Sequence, residues 1–121
     1  MATLLVNTGR AIITSRLNSG GTVPQYVGWG TGAGTTGATD TTLFTEVLPR
    51  VSGTVSQVTT STTNDTFQVV GTQTAGTSET ITNAGLFDAS TSGNLFVKGD
   101  FTGIPLNTSD SIQFTFKVQF S

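Results

Sequence analysis

A glycine-rich run between Val27 and Asp40 contains the spacing of a phosphate-binding motif. Within VGWGTGAGTTGATD, residues 32–37 fit the G-x-G-x-x-G fingerprint of dinucleotide-binding proteins. That fingerprint needs a buried parallel strand before it and a following helix whose N-terminus receives the phosphate charge. No crossover helix of useful length fits after the run, and Glu46 follows too soon to bind a ribose. The sequence therefore predicts a chance match, in a loop whose glycines allow close approach by another chain.

Other chemistry is limited by the residue types that the chain lacks. There is no His and no Cys, which removes the commonest general base, the commonest zinc ligands and the Ser-His and Cys-His nucleophiles. The seven carboxylates lie mostly in predicted turns, where Asp accepts hydrogen bonds from backbone N–H groups. A carboxylate pair for glycoside hydrolysis and a calcium site are the open alternatives. We expect no enzyme activity, no catalytic residue, no cofactor and no metal.

Composition and charge indicate a single domain over residues 1–121 that binds neither nucleic acid nor membranes. Charged residues make up 10% of the chain, against about 25% in ordinary soluble domains. The net charge is −2, and the five Lys and Arg residues are scattered, so they could not neutralise a run of phosphates. No segment has the length of a membrane span or a signal peptide.

The predicted fold class is all-β: an antiparallel β-sandwich or jelly-roll-like domain with a short N-terminal helix. Thr is β-branched and suits a pleated sheet, and short alternating segments are separated by Gly, Ser, Asn and Asp turns. We divide the chain into a Gly-rich strand and long loop over 21–49 and the main antiparallel strands over 50–121. A sandwich and a partly open barrel both fit this pattern.

Individual elements follow from the same periodicities. Asn7 to Leu17 also fits a strand, but we predict a short helix that ends at NSGG; QYVGWG is a strand, and TDTTLFTEVLP holds one helical turn. The change of phase between Val55 and Val58 predicts a bulge or an edge strand. TITNAGLFDA has apolar residues on both faces and should be covered on both sides.

The clearest strand is the last one. Apolar side chains at every second position from Ile112 to Phe120 alternate with polar ones. The sequence therefore predicts that the C-terminal strand is built into the core, with Val118 and Phe120 as core side chains.

Four residues are candidates for contact with another protein: Trp29, Thr31, Leu43 and Phe44. Leu43 and Phe44 form an apolar pair in a predicted connection, where a core position is less expected. Trp29 could be an exposed aromatic for sugar stacking, but we favour a side chain that plugs one end of the sandwich.

Several segments together resemble small structural proteins of tailed bacteriophages. They are, in chain order, GRAIITSRL, VPQYVGWGTG, DTTLFTEV, ITNAGLFDA, GNLFVKGDF and DSIQFTFKVQF. This order of motifs is similar to that of the β-sandwich or jelly-roll proteins that decorate and cement phage heads. Similar motifs also occur in tail and neck proteins.

The resemblance implies a virion protein on the outer capsid surface, made in the host cytoplasm. Its partners would be the major capsid protein, whose subunits it bridges, and further copies of itself in a homo-oligomer. A tail, neck or fibre subunit is the alternative interpretation. A sugar-binding β-sandwich is a third interpretation, which would need exposed aromatic side chains beside Asp or Asn in a groove.

Overall fold

The chain forms two antiparallel sheets and one helix in a computed structural model that describes residues 2–120. The elements in chain order are β1 (Ala2–Leu5), α1 (Asn7–Leu17), β2 (Tyr26–Gly30), β3 (Glu46–Ser52), β4 (Thr54–Val58), β5 (Thr66–Thr74), β6 (Glu79–Phe87), β7 (Leu95–Leu106) and β8 (Ser111–Gln119). One sheet has the order β1-β7-β6-β2-β3 and the other β4-β5-β8. The all-β, sandwich-like prediction is confirmed, and the short helix predicted within Asn7 to Leu17 is present.

The chain changes sheets at Gly53. β3 ends at Ser52 as an edge of the five-stranded sheet, and β4 begins at Thr54 as an edge of the three-stranded sheet. Val55 and Val58, which differ in hydrophobic phase, both lie within β4 after this crossing. The edge-strand alternative is confirmed, because β4 pairs with β5 in unbroken register without a bulge.

The core lies between the two sheets. The Trp29 ring from β2 meets Phe114 of β8 edge-on, with centroids 6.4 Å apart. Phe67 of β5 meets Phe96 of β7 in the same way at 5.9 Å. Only 2% of the surface of Trp29 is exposed, which confirms its prediction as a core plug and leaves it no face for stacking on a sugar.

The outer face of the five-stranded sheet is also covered. Residues 31–45, which we call the covering segment, run across it, and Leu43 packs there with Val6, Phe87 and Leu95. The second half of β6 is therefore buried on both sides, as predicted from its continuous apolar run.

The helical turn predicted in TDTTLFTEVLP is wrong. The Phe44 carbonyl accepts a hydrogen bond from Gly32 N–H, and strand β3 already begins at Glu46. Phe44 and Thr45 form a turn, and the positive φ of Thr45, 49°, does not fit a right-handed helical turn. β3 continues through Pro49, which is tolerated because an edge strand has one side without ladder bonds.

The prediction of a buried final strand is wrong for its end. β8 ends at Gln119, and Phe120 is 53% exposed. The inward-facing side chains of β8, such as Phe116 and Val118, are half-buried. The reason is that β8 is an edge strand, so its inner face is covered only in part by the opposite sheet. Ser121 lies outside the described residues.

Candidate interaction surface

The glycine motif is an internally bonded part of the covering segment. The backbone N–H of Thr36 donates to Asp100 Oδ1 at 3.0 Å, and the N–H of Gly37 donates to Asp40 Oδ2 at 3.0 Å. These are the kind of amides that a phosphate would need. The chain's own carboxylates accept their hydrogen bonds, and no helix follows the motif. These two amides are therefore already bonded within the chain.

Phe44 fixes the middle of the covering segment. Its backbone is held on both sides by Asn83, which accepts a hydrogen bond from Phe44 N–H and donates one to Phe44 C=O, each at 3.0 Å. The Lys98 Nζ lies 3.3 Å from the centroid of the Phe44 ring, a cation–π contact. A Cβ on Gly34 would come within 2.7 Å of the same ring, so the motif's second glycine is needed for this packing.

Leu43 fits into a gap created by two glycines. Gly28 of β2 and Gly85 of β6 lie opposite each other in the sheet. A Cβ on either would lie about 3 Å from the Leu43 side chain, at 3.2 Å from Gly28 and 3.0 Å from Gly85. The missing side chains therefore let Leu43 reach the sheet surface.

The covering segment carries an ion pair with one buried partner. The Lys98 side chain is fully buried, and its Nζ lies 2.9 Å from Asp40 Oδ2, whose side chain is 24% exposed. The backbone N–H of Gly37 and the Lys98 ammonium lower the pKa of Asp40 below its ordinary value. Asp40 therefore remains ionised and compensates the buried cation.

A second cation is also internal. The Arg50 side chain is 5% exposed and pairs with Glu46 at 2.7 Å. Its guanidinium also donates to the carbonyls of Ala89 and Ser92 and lies 3.4 Å from the centroid of the Phe87 ring. Two of the five basic residues are thus used inside the fold.

Three of the four predicted contact residues, Thr31, Leu43 and Phe44, belong to the covering segment, whereas Trp29 lies in the core between the sheets. Trp29 and Leu43 are only 2% and 5% exposed, so their side chains are enclosed by this chain. Thr31 and Phe44 are partly exposed. Contact of these residues with another protein stays a prediction. Only Thr31 and Phe44 have side chains that are accessible for such a contact.

An apolar groove that the sequence did not predict lies between α1 and the three-stranded sheet. Its volume is about 380 Å³. Its exposed apolar side chains are Leu17, Val55 and Phe120, with 81%, 38% and 53% of their surface accessible. Leu17 and Phe120 lie at or just beyond the ends of their elements, where a periodic pattern no longer guarantees a covering layer. We call this surface, also lined by Ile13, Arg16, Val23, Pro24, Phe67 and Phe96, the helix groove.

A comparison with protein family models identifies the family of the chain. The family model described as podophage GP4 fiber I protein gp80 matches residues 16–118, from the end of α1 to the end of β8. The chain belongs to this family. It is therefore a structural protein of a phage virion, which confirms the virion part of the resemblance. No curated protein and no solved structure matched the chain.

The carboxylates of this gp80-family chain act mainly in turns, as predicted. Asp65 accepts hydrogen bonds from the backbone N–H groups of Thr60, Ser61 and Thr62 at 2.8 to 3.0 Å. Asp110 accepts one from Asn107 N–H. In residues 2–120 no three acidic side chains lie close enough together to hold a metal ion.

None of the helical segments in the described part of the chain has the length and hydropathy that a membrane crossing requires.

Proposed function

We propose that this chain is a non-enzymatic structural subunit of a podophage fibre. The observation that carries the proposal is the gp80 fibre-family match over residues 16–118, which spans nearly all of the two-sheet fold. This favours the tail, neck or fibre interpretation over capsid decoration. The subunit would act by binding neighbouring virion proteins and further copies of itself.

The surface supports protein partners better than charged polymers. Lys98 and Arg50 are enclosed within the fold, which leaves Arg10, Arg16 and Lys117 as the exposed cations of the described residues. Three separated charges cannot match a run of phosphates. The helix groove instead offers exposed apolar side chains, which are typical of contact surfaces between proteins. In a fibre, weak contacts gain strength because many are made at once.

The capsid-surface interpretation makes a different prediction about the particle. A cement protein binds the assembled head and stabilises it by mass action, so its loss should lower the temperature at which heads release DNA. A fibre subunit has no such effect on the head.

Phage particles that lack this chain distinguish the two roles. We would block its synthesis with a nonsense mutation, image the particles by negative-stain microscopy and measure DNA release during heating. We expect fibres that are absent or incomplete and heads that release DNA at the wild-type temperature.

The matched control is the same phage complemented with the wild-type chain from a plasmid, which should restore the fibres. Intact fibres on heads that open at lower temperature would overturn the fibre assignment and support capsid cementing.

A further inference from the structure

Strand β8 has one side without a backbone partner. Phe120 N–H donates to Asp65 C=O at 3.0 Å, and Asp110 C=O accepts from Ala75 N–H at 2.8 Å. Both bonds point toward the β5 side. Because backbone groups alternate in direction along an antiparallel strand, the even-numbered residues of β8 bond to β5. The odd-numbered residues therefore direct their N–H and C=O groups away from the sheet: Ser111, Gln113, Thr115, Lys117 and Gln119.

This outer edge carries few of the usual features that prevent strand addition. Among the described residues, no hydrogen-bond partner lies on the open side of β8. The strand is nine residues long, contains neither Pro nor Gly, and carries one charge, at Lys117. Natural edge strands are usually short, bulged, charged or interrupted by Pro.

A groove between the two sheets opens beside the same edge. Its volume is about 550 Å³, and its apolar lining includes Phe101 and Val97 of β7 and Phe114 and Phe116 of β8. The inward-facing side chains of β8 are consequently half-buried, although they are large and apolar. A further strand beside β8 would cover them.

We propose that a second copy of this chain supplies that strand, with β8 paired antiparallel to β8 across a twofold axis at Thr115. This register places Thr115 opposite itself, and Gln113 opposite Lys117 of the other copy. The outward-directed backbone groups of the five odd-numbered residues then face those of the other copy along the length of the strand. The result is a continuous six-stranded sheet. The proposal deepens the proposed function by naming its self-contact, but rests on the β8 geometry alone.

The side chains of β8 complement themselves in this register. On the inner face, Phe114 lies opposite Phe116 of the other copy, and Ile112 opposite Val118. A twofold interface requires such self-complementarity, because both copies use the same surface. If one residue contacts a second residue of the other copy, that second residue also contacts the first one's equivalent. The charges are also compatible with this register, because each Lys117 lies opposite the neutral side-chain amide of Gln113 in the other copy. A register centred on Lys117 would instead place two ammonium groups opposite each other and pair fewer residues.

Engineered cysteines test the register directly, because the natural chain has none. Thr115→Cys should form a disulfide with itself, since directly opposite Cα atoms lie about 5.5 Å apart, within disulfide range. Gln113→Cys is the matched control on the same exposed face. Its two copies would lie four residues apart along the strands, roughly 14 Å, and should not cross-link. A mixture of Gln113→Cys with Lys117→Cys should form a mixed disulfide.

A second measurement uses proline. Thr115→Pro removes an outward-directed N–H group without breaking a hydrogen bond to β5. The circular dichroism spectrum should therefore show a folded chain. The variant should sediment as a monomer at concentrations where the wild-type chain dimerises. Gln57→Pro is the control, since alternation along β4 also directs the N–H of Gln57 outward. This variant should still dimerise.

Several results would overturn the β8 pairing. They are a wild-type chain that is monomeric at all concentrations, a Thr115→Cys variant that does not cross-link, and equal cross-linking of Thr115→Cys and Gln113→Cys. If β8 cross-links as expected while particles lacking the chain keep their fibres, the fibre assignment fails and the self-pairing stands.

Discussion

At the scale of single residues, one buried lysine organises the outer face of the five-stranded sheet. Lys98 is fully enclosed, and it contacts both the Asp40 carboxylate and the Phe44 ring of the covering segment. A buried ammonium without a compensating charge is costly, whereas a partly exposed carboxylate can still be hydrated. The two members of the pair should therefore differ in the effect of their removal.

Asp40→Ala should destabilise the chain more than Lys98→Met. The first leaves a buried cation without its counterion and should lower the free energy of unfolding by roughly 2–4 kcal/mol. The second removes the buried charge and keeps an apolar stem of similar length, so we expect a loss of about 1–2 kcal/mol. Urea unfolding of both variants and of the double variant measures the difference. A larger loss for Lys98→Met would contradict the account of this pair.

Acid should weaken the fold through three carboxylates whose pKa is lowered in the folded state, those of Asp65, Asp40 and Asp100. Hydrogen bonds from the backbone N–H groups of Thr62 and Thr60 lower the pKa of Asp65 well below its ordinary value, and that of Asp40 is also lowered. A carboxylate with a lower pKa in the folded state than in the unfolded state contributes stability above its unfolded pKa, near 3.9. That contribution is lost as the pH falls through the folded-state pKa.

We therefore expect the urea midpoint to fall between about pH 5 and pH 2. Asp65→Asn should be less stable than wild type at pH 7 and should lose less of its remaining stability on acidification. Equal pH slopes for wild type and variant would contradict the role of Asp65.

At the scale of elements, the sequence predicts structure that is local and fails where structure depends on distant partners. The bounds of α1, the edge position of β4 and the two-sided burial of β6 follow from periodicity within each segment. The position of the covering segment does not follow from local periodicity, because Phe44 is held by Asn83 and Lys98, which are far along the chain. Alternation assigned Phe120 to the inner face, but it could not show whether another layer lies over that end.

The covering segment should loosen when its main polar anchor is removed. Asn83 is fully buried and bonds both backbone groups of Phe44. Asn83→Ala leaves those groups without their partner and should cost about 1–3 kcal/mol. Amide hydrogen exchange over residues 31–45 should become faster, while exchange in β5 changes little.

The control for this variant is Asn107→Ala, an exposed asparagine whose side chain has no hydrogen bond among the described residues. Its exchange pattern should match wild type. Unchanged exchange over residues 31–45 in Asn83→Ala would show that the segment is held by other contacts.

At the scale of the whole molecule, the two-sheet domain has one sheet face that its own chain covers and other surfaces where apolar side chains stay exposed. The covering segment closes the outer face of the five-stranded sheet, whereas β8 and the helix groove leave apolar side chains accessible. Two backbone N–H groups of the glycine motif that could have indicated nucleotide chemistry instead donate to the chain's own carboxylates. A structural subunit of a fibre needs this combination of a stable body and exposed edges for neighbours.

A cryo-electron microscopy map of the intact virion would show where this chain lies. We expect density matching this two-sheet domain in the fibre, with neighbouring copies meeting along β8. The same domain found on the outer surface of the capsid, in contact with the major capsid protein, would contradict this expectation.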